Sequence, residues 1–132
     1  MEYRLKIRLR DTDATGVIYF PKQLEFTSEV LEHFMHAQGF SINKLFEMSL
    51  FMPVVHASSN YYHPLFLGNE VLIVMKRKEF GEKSLTLFYQ IYKGELLVGD
   101  CTIIHVAIDG KTRQSIELPV VLKELFSRLP LL

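Results

Sequence analysis

Residues 21–39 read PKQLEFTSEVLEHFMHAQG, and this stretch decides the fold class. Pro21 suits the start of a helix and Gly39 suits the position just after its end, so we predict a helix from about Pro21 to Gln38. A surface helix needs an apolar stripe of only about 100°. Here the apolar side chains cover roughly half of the circumference, which indicates a sheet that curves around the helix. These side chains are Leu24, Phe26, Val30, Leu31, Phe34, Met35 and Ala37.

The segments on either side of this helix are rich in strand patterns. Alternating apolar and polar residues, or apolar runs between turn residues, predict five strands at 3–9, 51–62, 71–80, 84–92 and 96–108. Ser41 suits the cap of a short second helix that ends near Glu47, and Pro119 opens a terminal helix over 120–128. We therefore predict an α+β fold, with an antiparallel five-stranded sheet wrapped around one long helix and its last four strands in meander order. Residues 1–132 are expected to form a single domain.

Composition narrows the possible functions. The 132 residues contain 15 Lys plus Arg and 15 Asp plus Glu, and this zero net charge argues against a general nucleic-acid binder. Cys101 is the single cysteine, so an internal disulfide is impossible and a reducing compartment is expected. The sequence shows neither a targeting segment nor an apolar run of membrane-spanning length. We expect a soluble cytoplasmic protein that does not bind membranes.

The motif that points to chemistry lies just before the long helix. Residues 11–21 read DTDATGVIYFP, which resembles the signature of the 4-hydroxybenzoyl-CoA thioesterase family, whose members have the hotdog fold. The resemblance implies that Asp13 is the catalytic carboxylate, either as nucleophile or as general base. It also implies that the backbone N–H groups near Tyr19 and Phe20 stabilise the oxyanion, as a helix N-terminus favours negative charge. Asp11 is interpreted as a turn or capping residue, and Gly16 as a residue with an unusual backbone angle or one close to substrate.

A second, shorter match indicates the type of substrate. Residues 50–58 read LFMPVVHAS, which resembles a segment of 1,4-dihydroxy-2-naphthoyl-CoA thioesterases. Many bacterial family members have His after the motif Tyr, whereas this chain has Phe20, which favours the branches that act on aromatic acyl groups. The resemblance implies a pocket that includes Gly16, Ser28 and Met52. His56 shares a polar strand face with Ser58 and Asn60, and we assign it to this pocket as well, with solvent exposure or a place in a dimer interface as the alternatives. The resemblance also implies a role in naphthoquinone biosynthesis.

Basic residues near the predicted turn at 81–83 form a second candidate site. The resemblance places phosphate-binding residues of coenzyme A there, and we assign that role to Lys78, Lys83 and Ser84. A solvated charged surface is the alternative, since exposed charge runs usually have no ligand. The family's preceding arginine pair is replaced here by Gly81 and Glu82.

Other titratable residues receive less specific interpretations. Glu29 is the second candidate for the catalytic carboxylate, although a solvated or paired residue is the preferred interpretation. His105 lies in an apolar strand and is interpreted as structural. His33, His36 and His63 lack ligand-like partners, so we predict neither a metal site nor a cofactor.

Three alternatives to an aromatic acyl-CoA thioesterase stay open from the sequence. They are a short- or medium-chain acyl-CoA thioesterase, a module that binds acyl thioesters without turnover, and a dehydratase. We also expect a homodimer or homotetramer, because the strand at 51–62 has few charges and is poorly protected against pairing with another chain.

Overall fold

The sequence folds into seven strands and three helices in the computed structural model, which describes residues 1–132. The helices are α1 (Lys22–Ala37), α2 (Ile42–Glu47) and α3 (Val120–Phe126). The strands are β1 (Glu2–Lys6), β2 (Leu50–Phe51), β3 (Val54–Tyr61), β4 (Glu70–Phe80), β5 (Ser84–Lys93), β6 (Leu96–Val106) and β7 (Ile108–Asp109). The predicted class is confirmed, because one five-stranded antiparallel sheet wraps around one long helix.

The order of strands in this sheet is β1-β4-β5-β6-β3. β3 pairs with β6, with Ser59 opposite Cys101, so the predicted meander order for the last four strands is wrong. β4 is already paired with β1 on one side and β5 on the other, and this leaves β3 no place beside β4. β3 therefore forms one edge of the sheet and β1 forms the other.

Three predicted strands end earlier or are divided, one of them the strand predicted over 96–108, which stops at Val106 as β6 and is followed by the separate β7. β1 stops at Lys6, and the chain then forms a 3-10 turn over Leu9–Asp11 that leaves Leu9 exposed. The segment predicted as one strand over 51–62 divides at Pro53, whose ring nitrogen carries no N–H for a sheet hydrogen bond. The result is a short β2, which pairs with β7, and a separate edge strand β3.

The helix α1 lies in the concave face of the sheet, as its apolar surface predicted. Phe26, Val30, Phe34 and Met35 are buried on it. They face a sheet whose inner side chains are fully buried, among them Ile73, Met75, Leu87 and Ile91. The helix ends at Ala37, and Gly39 follows with φ +73°, as predicted for a C-terminal stop.

The two short helices close the far end of α1. Phe126 of α3 packs on Phe34 of α1 with ring centroids 5.7 Å apart, and Leu45 of α2 is buried in the same core. No helix combines the length and apolar character that a membrane crossing requires. The N-terminal end of α1 is left uncovered by these helices, and the predicted catalytic motif lies there.

Candidate active site

Asp11 holds the loop that leads from β1 to α1. Its carboxylate accepts hydrogen bonds from Arg8 N at 2.8 Å and Arg8 Nε at 3.1 Å, and Lys22 Nζ lies 3.7 Å away. Burial alone would raise the pKa of Asp11, but the hydrogen bonds and charge of Arg8 more than offset this, and the pKa lies below its ordinary value. Asp11 is 1% exposed. The geometry confirms its predicted structural role.

Asp13 lies two residues further on and is exposed. Its Oδ1 accepts hydrogen bonds from the Thr15 hydroxyl and from Thr15 N, the latter at 2.8 Å. These two bonds lower the pKa of Asp13, so the side chain is a carboxylate at neutral pH. Gly16 adopts φ +83°, which glycine tolerates best, and the tight turn brings Gly16 N to 3.1 Å from Asp13 O. The turn presents an ionised, solvent-facing carboxylate beside the start of α1.

Only one of the two predicted oxyanion donors is free. Tyr19 N donates to Asp11 O at 2.7 Å, so the prediction for Tyr19 is wrong in this geometry: the loop closes on itself through that bond. Phe20 N donates to no protein acceptor. Pro21, which follows it, has no N–H, and the helix begins at Lys22. The Tyr61 hydroxyl on β3 donates to Phe20 O and fixes the orientation of this peptide.

A buried glutamine, which sequence reasoning missed, ties the start of α1 to β3. Gln23 is 1% exposed, and its Nε2 donates to Ser59 Oγ at 2.8 Å and to Asn60 O at 3.1 Å. Gly99 on β6 leaves the space for this carboxamide, since a Cβ there would collide with it. The sequence contained one signal of this contact: Gly99 lies inside an apolar strand, and a glycine there often marks the close approach of another group.

Two neighbouring cavities open along α1. The first, of about 210 Å³, lies beneath α2 and is lined by Met52, one of the predicted pocket residues. The second, of about 200 Å³, lies between α1 and β3 and is lined by Ser28, another predicted pocket residue. Leu31 and His105 line both cavities, so the two are contiguous. Together they form an apolar space that begins about one turn after Phe20.

The structure places His56 and Gly16 away from this space. Ala57 lines the second cavity, and His56 is its neighbour on the strand, so His56 points to the opposite, outer face and is exposed there. Gly16 lies in the exposed turn beside Asp13. Within one chain, neither residue contributes to the walls of the two cavities.

His105, and not His56, is the histidine that lines the two cavities. It is 7% exposed, and its Nδ1 lies 2.9 Å from Met52 O. Burial lowers the pKa of His105, and the bond to the Met52 carbonyl offsets this only in part. The structural role predicted for His105 is visible in that bond. The ring also forms part of the cavity wall, which the strand pattern alone did not indicate.

The predicted coenzyme A residues share one end of the β4–β5 hairpin. Lys78 is exposed at an irregularity of β4, between Arg77 and Glu79. Lys83 lies in the turn and its Nζ donates to Ser115 Oγ at 3.4 Å, while Ser84 begins β5. The three residues are therefore close in sequence, and the hairpin places them at one solvent-facing end of the sheet.

Glu29, the second carboxylate candidate, lies on the side of α1 that faces β1, away from the two cavities. Its Oε1 accepts a hydrogen bond from the Tyr3 hydroxyl of β1 at 2.8 Å, and this bond raises the pKa of Tyr3. Glu29 lines neither of the two contiguous cavities. The paired-residue interpretation of Glu29 is confirmed, although its partner is Tyr3. The structure contains no group of three or more His, Cys, Asp or Glu side chains placed to hold a metal ion.

Comparison with known proteins identifies the family of the chain. The sequence model of the thioesterase-like superfamily matches residues 7–126. A 1,4-dihydroxy-2-naphthoyl-CoA hydrolase of Microcystis aeruginosa is 34% identical over 124 residues, which cover 93% of this chain and 90% of that protein. The corresponding hydrolase of Nostoc punctiforme is 32% identical over 118 residues, covering 89% and 80% respectively.

A solved structure agrees with the fold. A 1,4-dihydroxy-2-naphthoyl-CoA thioesterase from Synechocystis superposes with a TM-score of 0.88 at 24% sequence identity, covering 96% of this chain and 94% of the other. The hotdog fold that the sequence motif implied is thus confirmed. The chain, with its helix wrapped by the sheet and its Asp-x-Asp loop at the helix start, belongs to the thioesterase-like superfamily.

Proposed function

We propose that this protein is an acyl-CoA thioesterase that hydrolyses an aromatic acyl-CoA to the free acid and coenzyme A. One observation carries the proposal: the ionised, exposed Asp13 and the unpaired N–H of Phe20 lie on the loop that leads into α1, and a largely apolar cavity begins at Leu24 in the first turn of that helix. A thioester needs an attacking oxygen and a donor for the developing oxyanion, and this arrangement offers both.

The proposed substrate is 1,4-dihydroxy-2-naphthoyl-CoA, which places the protein in naphthoquinone biosynthesis. Relatives 32–34% identical over most of the chain carry the corresponding name. The two contiguous cavities, of about 200 and 210 Å³, have largely apolar walls that suit a flat fused ring. A short- or medium-chain acyl-CoA is the second candidate, since an apolar cavity also accepts an alkyl chain.

The chemistry follows from the geometry of the loop. In one route, an Asp13 oxygen attacks the thioester carbonyl and the carbon–sulfur bond breaks, releasing the coenzyme A thiolate and leaving a mixed anhydride that water hydrolyses. In the other route, Asp13 takes a proton from water as the water oxygen attacks the carbonyl carbon; the carbon–sulfur bond then breaks, which releases the free acid and the coenzyme A thiolate. In both routes the negative charge on the carbonyl oxygen is stabilised by the Phe20 N–H and the positive end of α1.

Coenzyme A is proposed to bind through Lys78, Lys83 and Ser84 at the end of the β4–β5 hairpin. Lys78 and Lys83 are exposed cations, and Ser84 adds a hydroxyl. Contacts between exposed lysines and phosphate are weakened by salt. The KM for the acyl-CoA is therefore expected to rise with ionic strength, with a smaller change in kcat.

We extend the proposal to a cytoplasmic location, because charged acyl-CoA substrates do not cross membranes freely.

The active form is proposed to be a homodimer, or a homotetramer built from such dimers, joined through the β3 edges. Val54, Val55, Tyr61 and Tyr62 are large apolar or aromatic residues left about half exposed along this edge. Pairing two β3 strands would cover them and would satisfy the unpaired backbone groups. It would also bring His56 of one chain towards the second chain, where it is able to contribute to a shared site.

The decisive test is Asp13→Asn assayed by release of free thiol from a panel of acyl-CoA substrates. The panel contains 1,4-dihydroxy-2-naphthoyl-CoA, benzoyl-CoA, butyryl-CoA and acetyl-CoA. We expect the naphthoyl substrate to have the highest kcat/KM in the wild type. The variant should lose about 10²–10⁴-fold of this activity.

Glu29→Gln is the matched control, because it also converts a carboxylate to an amide but lies on the far side of α1. Its activity should equal that of the wild type. Near-normal turnover by Asp13→Asn would refute the catalytic role of Asp13. A wild type that prefers acetyl-CoA or butyryl-CoA would refute the aromatic substrate.

A further inference from the structure

The wall of the first cavity contains one polar side chain. Ten of its eleven lining residues are hydrophobic, and the remaining one is His105. The same ring also lines the second cavity, beside Ser28. A polar group that is shared by both cavities and surrounded by apolar side chains is well placed to decide which acyl groups fit.

The hydrogen bond to Met52 fixes the protonation pattern of this ring. A carbonyl oxygen only accepts, so Nδ1, 2.9 Å from Met52 O, carries the proton. In the neutral ring Nε2 is then an acceptor with a free lone pair. The lowered pKa of His105, caused mainly by burial, favours this neutral form at pH 7.

Nε2 has no partner within the protein. The structure gives it no hydrogen bond, and the only side-chain nitrogen or oxygen sealed from solvent without a partner is Arg77 Nε. Nε2 therefore retains accessible surface, and for a ring 7% exposed in the wall of two cavities we infer that this surface opens onto them. An acceptor in such surroundings calls for a ligand that donates a hydrogen bond.

We propose that His105 Nε2 accepts a hydrogen bond from a ring hydroxyl of the acyl group, and that His105 thereby selects hydroxylated aromatic acyl-CoA substrates over unhydroxylated ones. This inference rests on the proposed function. In the proposed substrate the 1-hydroxyl neighbours the thioester carbonyl and bonds to it internally. The 4-hydroxyl, on the other side of the ring, has no internal partner and is the donor assigned to His105.

Ser28 is the competing partner for this hydroxyl, since it lines the second cavity. Its hydroxyl group either donates or accepts, and it therefore does not require a donor in the ligand. Thr27 lines the same cavity, but its hydroxyl already donates to Leu24 O at 2.6 Å. His105 is thus the group whose unmet hydrogen bond favours a donor.

The test compares two substrates that differ only in the 4-hydroxyl: 1,4-dihydroxy-2-naphthoyl-CoA and 1-hydroxy-2-naphthoyl-CoA. We expect the wild type to favour the dihydroxy substrate in kcat/KM by about tenfold to a hundredfold, the range for leaving a buried acceptor unpaired. His105→Asn keeps an amide N–H for Met52 O but lacks the Nε2 acceptor. In this variant the ratio should fall to near one, while turnover of the monohydroxy substrate changes only a few-fold.

Ser28→Ala separates the two candidate partners and should retain the wild-type preference. A ratio that persists in His105→Asn, or one that collapses in Ser28→Ala instead, overturns the proposal. Because the ratio compares two substrates in one variant, a general loss of stability or of active enzyme cancels from it. If the wild type hydrolyses neither naphthoyl substrate, the proposed function has failed.

A measurement on the wild type tests His105 without any substitution or turnover. In the Nδ1–H tautomer Nε2 is the ring nitrogen without a proton, and this distinguishes its ¹⁵N NMR signal from that of Nδ1. The signal shifts when Nε2 accepts a hydrogen bond. Saturating 1,4-dihydroxy-2-naphthoate should move this signal, and 1-hydroxy-2-naphthoate should not. Equal responses to the two acids, or none to either, would overturn the role of His105 even where His105→Asn does not fold.

Discussion

The two edges of the sheet are built in opposite ways. β1 has five residues, of which Glu2, Arg4 and Lys6 are charged, and the C-terminal tail adds further pairing beside it through bonds between Arg77 and residues 130–132. β3 has eight residues, VVHASSNY, whose one titratable side chain apart from Tyr61 is His56. Charges and short length discourage an edge from pairing with other chains. By this comparison β1 is the protected edge of the sheet and β3 the unprotected one, which is the asymmetry that the proposed dimer requires.

The same asymmetry extends to the links between the sheet and α1. On the β3 side, Tyr61 and Gln23 connect the edge strand to the first turn of α1, where Phe20 N–H is free. On the β1 side, Tyr3 donates a hydrogen bond to Glu29 in the second turn of the helix, and its ring packs on His33 one turn later, with centroids 5.0 Å apart. We therefore expect a shift of β3 to move the Phe20 peptide through Tyr61, whereas a change in the Tyr3–Glu29 hydrogen bond acts on the second turn of α1, away from that peptide.

The largest effect is expected from placing charge on the β3 edge. Val55→Lys combined with Ser58→Lys would bring like charges together when two β3 strands pair, which disfavours the dimer. Light scattering should give the 15.4 kDa mass of one chain instead of twice that mass. The kcat/KM should fall by about 100-fold or more, since each site loses the groups, such as His56, that the proposed dimer brings to it from the second chain.

Glu2→Lys provides the matched control at the other edge. It also adds positive charge to an exposed edge position, but on β1. Its mass in solution and its activity should equal those of the wild type. A wild-type chain that is monomeric and fully active would contradict the comparison of the two edges, and so would a double-lysine variant that stays dimeric.

The comparison of the edges also explains which features were predictable from the sequence. Three features were predictable because they depend on local periodicity or on a local motif: the wrapping of the sheet around α1, the Asp-x-Asp turn and the glycines at positive φ. The place of β3 was not, because strand order is set by which strands are already paired. The place of His105 in the cavity wall and the tether made by Gln23 were missed for a related reason: both depend on contacts between elements that are distant in the sequence, which local alternation does not reveal.

Gln23→Leu tests the tether on the β3 side. The variant leaves Ser59 Oγ and Asn60 O without their buried donor, which should cost about 1–3 kcal/mol of unfolding free energy. Denaturant titration measures that loss. We also expect a lower kcat, because the first turn of α1 loses one of its two links to β3 and keeps only the Tyr61–Phe20 hydrogen bond. A variant with unchanged stability and unchanged kcat would show that this tether is dispensable.

Asp11→Asn tests the loop that crosses from the β1 edge to α1. The folded-state pKa of Asp11 lies below its ordinary value of 3.8, because the hydrogen bonds and charge of Arg8 outweigh the effect of burial. A lowered folded pKa stabilises the protein above the unfolded pKa, and that stability is lost as pH falls through the folded value. The variant should therefore be less stable than wild type at pH 7 by about 1–2 kcal/mol, with a smaller difference near pH 3. A difference that is the same at both pH values would argue against the carboxylate as its source.

The smallest effect is expected from Glu29→Gln, on the β1 side of α1. The carboxamide oxygen still accepts the Tyr3 hydroxyl hydrogen bond, and Glu29 is partly solvated, so the unfolding free energy should change by less than about 0.5 kcal/mol. The pKa of Tyr3 is raised chiefly by its bond to Glu29, and removing the charge should lower it towards the ordinary value. An absorbance titration of tyrosine ionisation measures this shift independently of activity. If the pKa of Tyr3 falls while kcat/KM and the dimer stay unchanged, the β1 side of the helix is coupled to its own edge and not to the catalytic loop. A loss of activity comparable to that of Asp13→Asn would instead make Glu29 the catalytic carboxylate.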